Sequence, residues 1–225
     1  IGPVIYKKLP YEPAKDFKFI RNIIEIPNVM VVPADSPYNS VEEFIEAAKT
    51  KEMTFSSAGI GSSIHMSGEL FKTMTGTKMT HVPFRGSGEA LPALLSGDVD
   101  VSFENMPTVL SHIQSGKLKA LAVTSKEASP YLPDVEPLSK IGADLGLGEF
   151  VTTAWFGLIA DDQMSDQAVE TLQTALDKVM DDQGFKDFAA QIGGEPATEE
   201  GDSFRDYVAE DVQRWQRVAG QAELN

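Results

Sequence analysis

Residues 56–65 have the side chains and the setting of an anion-binding loop. They read Ser-Ser-Ala-Gly-Ile-Gly-Ser-Ser-Ile-His and lie between a strand-like run and a helical pattern. Small residues let the backbone approach a ligand closely. Free N–H groups at a helix start, with the positive end of the helix dipole, bind an anion without a side-chain cation. The same residues are also typical of a tight turn with a serine N-cap, so both interpretations stay open at this point.

Two familiar nucleotide-binding patterns do not fit this loop. The third glycine of a G-x-G-x-x-G pattern would be Ile64, and no Gly-Lys-Ser/Thr follows, as a phosphate-binding loop requires. We therefore expect no cofactor.

Two further loops follow predicted strands. Val82–Gly88 contains Phe84, which can form the wall of a pocket, and Arg85, the one cation beside either glycine-rich loop. Phe103–Pro107 ends a third strand. Ligands of open α/β sheets bind beyond the carboxyl ends of the strands, so we expect the three loops to meet at one edge of the sheet.

Patterns for catalysis and metal binding are weak. The histidines His65, His81 and His112 do not pair as H-x-x-x-H, and no H-E-x-x-H motif is present, so we expect no metal site. No G-x-S-x-G elbow is present either. A small α/β hydrolase that uses Ser62 or Ser63 with a histidine stays open as an alternative, because the members of a catalytic triad need not be close in sequence. We expect a binding protein that is not an enzyme.

The composition restricts the partners. The 225 residues carry 19 basic and 34 acidic side chains, a net charge of −15. This charge argues against nucleic acid, which needs clustered Lys and Arg, and against docking on an anionic membrane. The chain has no cysteine, which excludes disulfides and thiolate metal sites. No apolar run approaches the ~18 residues of a membrane span, so we expect no direct membrane insertion.

Over the first two thirds of the chain, short apolar runs alternate with helical periods. This alternation predicts five strands separated by four helices, in a parallel α/β sheet. The predicted strands are Val29–Val32, Met53–Ser56, Met79–Val82, Val99–Phe103 and Leu118–Val123.

The character of the sequence changes after about Gly148. One predicted strand, Ala154–Ala160, precedes long amphipathic helices, and residues 1–28 show no helical stripe. Amphipathic helices need an apolar surface to cover. We therefore expect the missing sheet to lie upstream of Ile1 or in another chain.

Several stretches, spread in order through most of the chain, together resemble one family. They are Leu9–Pro13 with Lys15–Phe17, Ser57–Ser62 with His65 and Gly68–Glu69, His81–Gly86, Gly116–Thr124, Leu132–Val135 and Trp155–Leu158. As a set, they resemble the substrate-binding proteins of tripartite tricarboxylate transporters, the Bug family of bacterial extracytoplasmic solute receptors.

The resemblance implies a two-domain Venus-flytrap receptor with the type II periplasmic-binding-protein fold. Residues 1–26 would be a remnant of the first domain, 27–148 the complete central α/β domain, and 149–225 the returning helix-rich part of the first domain, whose N-terminal part is missing. Such receptors capture a small carboxylate and deliver it to the membrane permease subunits of the transporter. The expected location is periplasmic, with the signal peptide outside this sequence. A ligand-sensing module with the same fold stays an alternative.

The resemblance also implies a set of ligand-binding residues. The loop at 57–63 would grip a ligand carboxylate, with His65 beside it, and Phe84 and Gly86 would form the pocket wall. Glu104 would favour a ligand with an amino or hydroxyl group, unless it is a solvated acid at a strand end. The complete set is Ser57, Ala58, Gly59, Gly61, Ser62, Ser63, His65, Phe84, Gly86, Glu104, Asn105 and Trp155.

Overall fold

The computed structural model describes residues 1–6 and 8–222, and their side chains up to residue 220. The chain forms two compact units. The terminal unit combines Ile1–Ile26 with the stretch from Trp155 onwards, and the central unit is Pro27–Ala154. The domain division of the whole receptor given above, 1–26, 27–148 and 149–225, stays a prediction.

Helices and strands alternate through the central unit. In chain order, the elements up to residue 154 are α1 (Gly2–Ile5), β1 (Phe17–Pro33), α2 (Val41–Thr50), β2 (Met53–Ser57), α3 (Ser63–Thr75), β3 (Met79–Pro83), α4 (Ser87–Ser96), β4 (Val101–Asn105), α5 (Met106–Gln114), β5 (Leu118–Val123) and α6 (Leu138–Ile141). A short 3₁₀ turn follows at Ala143–Leu145. The later elements are β6 (Thr153–Asp161), α7 (Asp166–Asp181), α8 (Gln183–Gln191), β7 (Glu195–Pro196) and α9 (Gly201–Ala222).

The central unit is built on a mixed sheet with the strand order β3-β2-β4-β1-β5. Strand β2 pairs in parallel with β3 and β4. Strand β1 is antiparallel to both β4 and β5. The α/β class is confirmed, but the prediction that the sheet is entirely parallel is wrong at these two pairings.

The direction of β1 follows from how the chain enters the central unit. Parallel neighbours need a crossover that carries the chain back over the sheet, and α3, α4 and α5 provide one before β3, β4 and β5. Strand β1 has no such helix before it, because it is a 17-residue strand that continues from the terminal unit. A short apolar run predicts a buried strand but carries no information about its direction.

Three helices start at the same edge of this sheet. Because β2, β3 and β4 are parallel, their carboxyl ends lie together, and α3, α4 and α5 begin within six residues of those ends. Asn28, the second residue of β1 in the central unit, lies at this edge too, since it is opposite Asn105 in the ladder.

Aromatic packing fixes α3 against the sheet. The rings of Phe71 on α3 and Phe103 on β4 lie 5.4 Å apart, and Phe150 stacks on Phe103 at 6.3 Å. All three side chains are fully buried, and each contributes about 1.5–3 kcal/mol by leaving water. This packing sets the position of the first turn of α3 relative to the strand ends.

The terminal unit has more sheet than expected. Strand β1 begins at Phe17, inside the region in which no regular element was predicted, and pairs with β6 and β7. The helix α9 packs Phe204 and Val208 against Phe19 of β1. The prediction that this part of the chain supplies a single strand is therefore wrong. Among the described residues, no helix combines the length and the apolarity that a membrane crossing requires.

Replacement of Gly68 by alanine tests the packing of α3. A Cβ at this position would lie 2.3 Å from the ring of Phe55, so we expect Gly68→Ala to lower the free energy of unfolding by about 1–3 kcal/mol. Gly220, in α9, has open space around the same position, so Gly220→Ala should raise it by about 0.5–1 kcal/mol. Urea unfolding followed by circular dichroism measures both, and equal stability of the two variants would contradict the contact.

Candidate functional site

The loop between β2 and α3 is shaped by its own hydrogen bonds. The hydroxyl oxygen of Ser57 accepts from the N–H of Gly59 (3.1 Å), and the hydroxyl of Ser62 donates to the carbonyl of Gly59 (2.8 Å). Gly59 and Gly61 have φ angles of 123° and 82°, which favour glycine because other residues rarely adopt them. The sequence thus needs small residues here to make a tight entry into α3.

This loop leaves backbone donors free at the start of α3. Ser62 is the N-cap, and its hydroxyl oxygen accepts from the N–H of His65. The N–H groups of Ser63 and Ile64 have no acceptor within the described residues. They are the groups that an anion at a helix start would use.

The second loop lies against the first. The N–H of Phe84 donates to the carbonyl of Ser57 (3.0 Å). The carbonyl of Phe84 is only 3.3 Å from the point where a Cβ on Gly59 would stand. Gly86 is the N-cap of α4 and has no side chain to cap the helix. The start of α4 is therefore a second group of uncapped N–H donors, joined directly to the loop of α3.

The third strand end is tied to α3 through two asparagines. The hydroxyl of Ser63 donates to Oδ1 of Asn105 (3.3 Å), and Nδ2 of Asn28 donates to the same oxygen (3.1 Å). Asn28 also donates to the carbonyl of Phe103 (2.6 Å) and is fully buried. Sequence reasoning missed Asn28, although a polar residue directly before the apolar run 29–32 was a visible signal.

Glu104 is buried at the end of β4. Its Oε2 accepts a hydrogen bond from the hydroxyl of Ser87 (2.8 Å), and its Oε1 has no hydrogen-bond partner in the described part of the chain. Burial raises the pKa of Glu104 to about 7, although hydrogen bonds from Ser87 and the backbone of Asn105 oppose the rise. The alternative of a solvated strand-end acid is wrong, because no part of the residue is exposed.

Two stacked histidines form hydrogen bonds with the α3 loop. The rings of His65 and His81 lie 4.0 Å apart, and Phe55 stacks on His81 at 4.9 Å. Nε2 of His81 is 2.6 Å from the hydroxyl of Ser57, and Nδ1 of His65 accepts from the N–H of Gly61 (3.2 Å). His81 is a supporting residue that the candidate set lacks.

Both histidines are uncharged near pH 7. Burial lowers the pKa of His65 to about 4, helped by the proximity of His81 and of Lys72, and burial and Lys72 lower the pKa of His81 to about 4 as well. They therefore act as hydrogen-bonding supports and contribute no positive charge to the site. Arg85 lies beside the loops but is exposed. An anion here would depend on backbone N–H groups.

The remaining candidates divide between the units. Ala58, half-buried, belongs to the α3 loop. Trp155 belongs to the terminal unit, where its Nε1 donates to Asp211 (3.4 Å) and its ring meets Phe204 and Tyr207 edge to face.

The serine–histidine pairing that a hydrolase needs does not form at the expected residues. The hydroxyls of Ser62 and Ser63 donate to Gly59 and Asn105, and neither contacts a histidine ring. Ser57 does contact His81, but Ser57 is fully buried. In the described part of the chain, no group of three or more histidine or acidic side chains could hold a metal ion.

Comparisons with known proteins identify one family. The family described as "Tripartite tricarboxylate transporter family receptor" matches residues 1–224. Protein BugT of Bordetella pertussis is 30% identical over 220 residues, which are 97% of this chain and 66% of BugT. A protein of the tcbD-tcbE intergenic region of a Pseudomonas strain is 29% identical, over 98% of this chain and 65% of that protein. The chain thus spans about two thirds of the length of these curated relatives.

Solved structures agree with these matches. The Rhodopseudomonas palustris protein Rpa4515 with adipate has a TM-score of 0.88 at 29% identity, covering 97% of this chain and 73% of that one. The periplasmic binding protein BugD has a TM-score of 0.88 at 28% identity, covering 100% and 75%. MatC of R. palustris with bound malate has a TM-score of 0.85 at 26% identity, covering 96% and 74%. The fold is therefore that of type II periplasmic binding proteins.

Acidification should weaken the protein through the stacked histidines. A histidine with a lower pKa in the folded state binds fewer protons there, so its contribution to stability is complete above about pH 6.5 and is lost towards pH 4. We expect a loss of roughly 2 kcal/mol for the buried His65 between pH 7.5 and 5.0, and a smaller loss for His81, whose partial exposure lets solvent screen the charge. The glutamine of His81→Gln can still bond Ser57 but does not titrate. This variant should therefore lose less unfolding free energy on acidification than the wild type, by the part that is due to His81.

Urea unfolding at the two pH values measures this loss as a difference between wild type and variant. His112→Gln, in the last turn of α5, removes a histidine that lies outside the stack and serves as the matched control. An equal pH dependence in His81→Gln and the wild type would show that His81 is not held neutral by the fold.

Proposed function

Because the chain belongs to the tripartite tricarboxylate transporter receptor family, we propose that it binds a small organic acid through a carboxylate held at the starts of α3 and α4. The observation that carries the proposal is the contact between the two glycine-containing loops, which joins the start of α3, with its free N–H groups on Ser63 and Ile64, to the uncapped start of α4. Family receptors are binding proteins rather than enzymes. The hydroxyls of Ser62 and Ser63 bond Gly59 and Asn105 instead of a histidine ring, which supports the same conclusion for this chain.

The chemistry of the loop favours a carboxylate. Backbone N–H groups at a helix start donate to an anion, and hydrogen bonds to a charged oxygen are shorter and stronger than neutral ones. The hydroxyls of Ser57, Ser62 and Ser63 already donate or accept within the protein, so they shape the loop and leave the N–H groups of Ser63 and Ile64 for the ligand.

The net charge of −15 is compatible with this site. It repels anions at long range, but salt screens this repulsion beyond about 8–10 Å under physiological conditions. Contacts at hydrogen-bond distance do not depend on that field. Affinity therefore comes from preorganised donors rather than from steering by surface charge.

The neighbours suggest the class of ligand and the biological setting. Structures similar to this chain are described with adipate and with malate, so small mono- and dicarboxylates are the first ligands to test. A receptor of this kind acts in the periplasm and delivers its ligand to the permease subunits of a tripartite tricarboxylate transporter. A sensing module would bind the same ligands but would not stimulate uptake by a permease.

Isothermal titration with a panel of acetate, succinate, malate, glutarate and adipate tests the proposal. At least one of these carboxylates should bind the chain. Gly59→Ala should then weaken binding by about tenfold or more, because φ at Gly59 is 123° and the new Cβ would press against the carbonyl of Phe84.

Gly116→Ala is the matched control. Gly116 also has a positive φ, 71°, but it follows α5 at the opposite edge of the sheet and has no atom within 4 Å of the Cβ position. The Gly116→Ala variant should lose stability through the positive φ alone and keep its affinity for the carboxylate. Binding that survives Gly59→Ala unchanged would contradict a ligand at this loop, and an absence of binding by every carboxylate would contradict the proposed ligand class.

A further inference from the structure

We propose that Glu104 takes up a proton when a carboxylate binds at the helix starts, so that the affinity for the anion is coupled to protonation of this side chain. The inference rests on the proposed function, since it places the ligand at the starts of α3 and α4. It adds a proton-binding residue to that site.

Glu104 is held at the first turn of α4 with half of its carboxyl group unsatisfied. The hydroxyl of Ser87, the first residue of α4, donates to Oε2, while Oε1 is buried and has no hydrogen-bond partner among the described residues. Gly86 leaves this helix start without a side-chain cap. The carboxyl group of Glu104 therefore lies beside a helix start, where the helix dipole also attracts a second anion.

The loop of α3 is joined to the loop before α4, because the N–H of Phe84 donates to the carbonyl of Ser57. The first residue of α4, Ser87, in turn donates through its hydroxyl to Glu104. A ligand carboxylate that reaches the start of α4 would therefore lie near the buried carboxylate of Glu104. Like charges in such a setting raise each other's pKa, so one of the two must gain a proton or the ligand binds weakly.

No neighbouring charge in the described part of the chain compensates Glu104. Strand β1 places Val29 opposite it, and β2 has no titratable residue in Met53–Ser57. The titratable groups on the other packed elements are His65, Glu69 and Lys72 on α3, His81 on β3, Glu89 on α4, His112 on α5, and Arg85 in the loop before α4. None of them forms an ion pair with Glu104: Lys72 pairs with Glu69 (2.5 Å), and Glu89 accepts from the N–H of Arg85.

The direction of the coupling follows from the charges. Where Glu104 is already neutral, an anion binds without repulsion. At higher pH the anion must bring a proton with it, and its affinity falls as the pH passes the pKa of the free protein, which burial sets at about 7. The two histidines below the loop do not titrate in this range, because the pKa of each is about 4.

The size of the effect is set by the distance between the two carboxylates. For a rise of about one unit in the pKa of Glu104 on ligand binding, the affinity should fall by up to about tenfold between pH 6.5 and pH 8.5. The same rise corresponds to an uptake of about half a proton for each ligand bound near pH 7.5.

Titration calorimetry with adipate and malate between pH 6.5 and pH 8.5 tests the coupling, because the carboxyl groups of both probes are ionised throughout. Repeating each titration in buffers with different ionisation enthalpies counts the protons taken up. The wild type should show this loss of affinity and the proton uptake. Glu104→Gln, which mimics the neutral acid, should bind with the low-pH affinity of the wild type at every pH and take up no proton.

Glu42→Gln is the matched control. Glu42 is exposed on α2, so the same change of carboxylate to amide there should keep the pH dependence of the wild type. As a second measurement that needs no variant, carbon-13 NMR of labelled glutamate in the wild type should show one side-chain carboxyl titrating near pH 7, and moving to higher pH when adipate or malate is added.

Two results would overturn the inference in distinguishable ways. Binding with the same pH dependence in the wild type and Glu104→Gln, or a Glu104 carboxyl resonance that ligand does not move, would remove the coupling and leave the proposed function intact. Failure of every carboxylate to bind at pH 6.5 would remove the proposed function and the coupling together.

Discussion

The first turn of an α-helix presents N–H groups that no residue of the helix can accept, and the central unit places three such turns at one sheet edge. Strands β2, β3 and β4 end there, and α3, α4 and α5 start there. The loops are joined by direct contacts: Phe84 to Ser57, Ser63 to Asn105, and Ser87 to Glu104. Buried backbone donors need partners, so this edge is suited to an anion for reasons of topology.

The side chains around these donors mostly hold geometry. His81 fixes the hydroxyl of Ser57, His65 accepts from Gly61, and Asn28 and Asn105 connect β1 and β4 to the start of α3. These residues are neutral near pH 7 and use their hydrogen bonds inside the protein. Such preorganisation reduces the cost of ordering the site when a ligand binds, and it explains how a strongly acidic chain can bind an anion without a cluster of cations.

The sequence was sufficient for α2 to α5 and for the edge at which α3, α4 and α5 start, because these helices have apolar stripes and α2 and α3 have the capping residues Ser40 and Ser62. It was insufficient for three features that depend on tertiary contacts. The direction of β1 depends on its entry from the terminal unit. Its apolar run does not indicate whether the strand is parallel or antiparallel to its neighbours. His81 and Asn28 enter the site through partners 24 and 35 residues away in sequence. The burial of Glu104 depends on α4, which covers the strand end through Ser87.

Glu104 raises the question of why an anion site would contain a buried acid. Its carboxyl group accepts a hydrogen bond from the hydroxyl of Ser87, the first residue of α4, and so lies beside a helix start that has no side-chain cap. A ligand carboxylate competes for the same positive end of the helix, and two anions there repel each other. Protonation of Glu104 removes the repulsion while keeping its side chain in place, since the hydroxyl of Ser87 can either donate to a carboxylate or accept from a carboxylic acid. By thermodynamic linkage, whatever the proton adds to the affinity for the anion, the anion adds to the affinity for the proton. A buried acid is therefore compatible with an anion site, and it makes the strength of binding depend on the proton concentration outside.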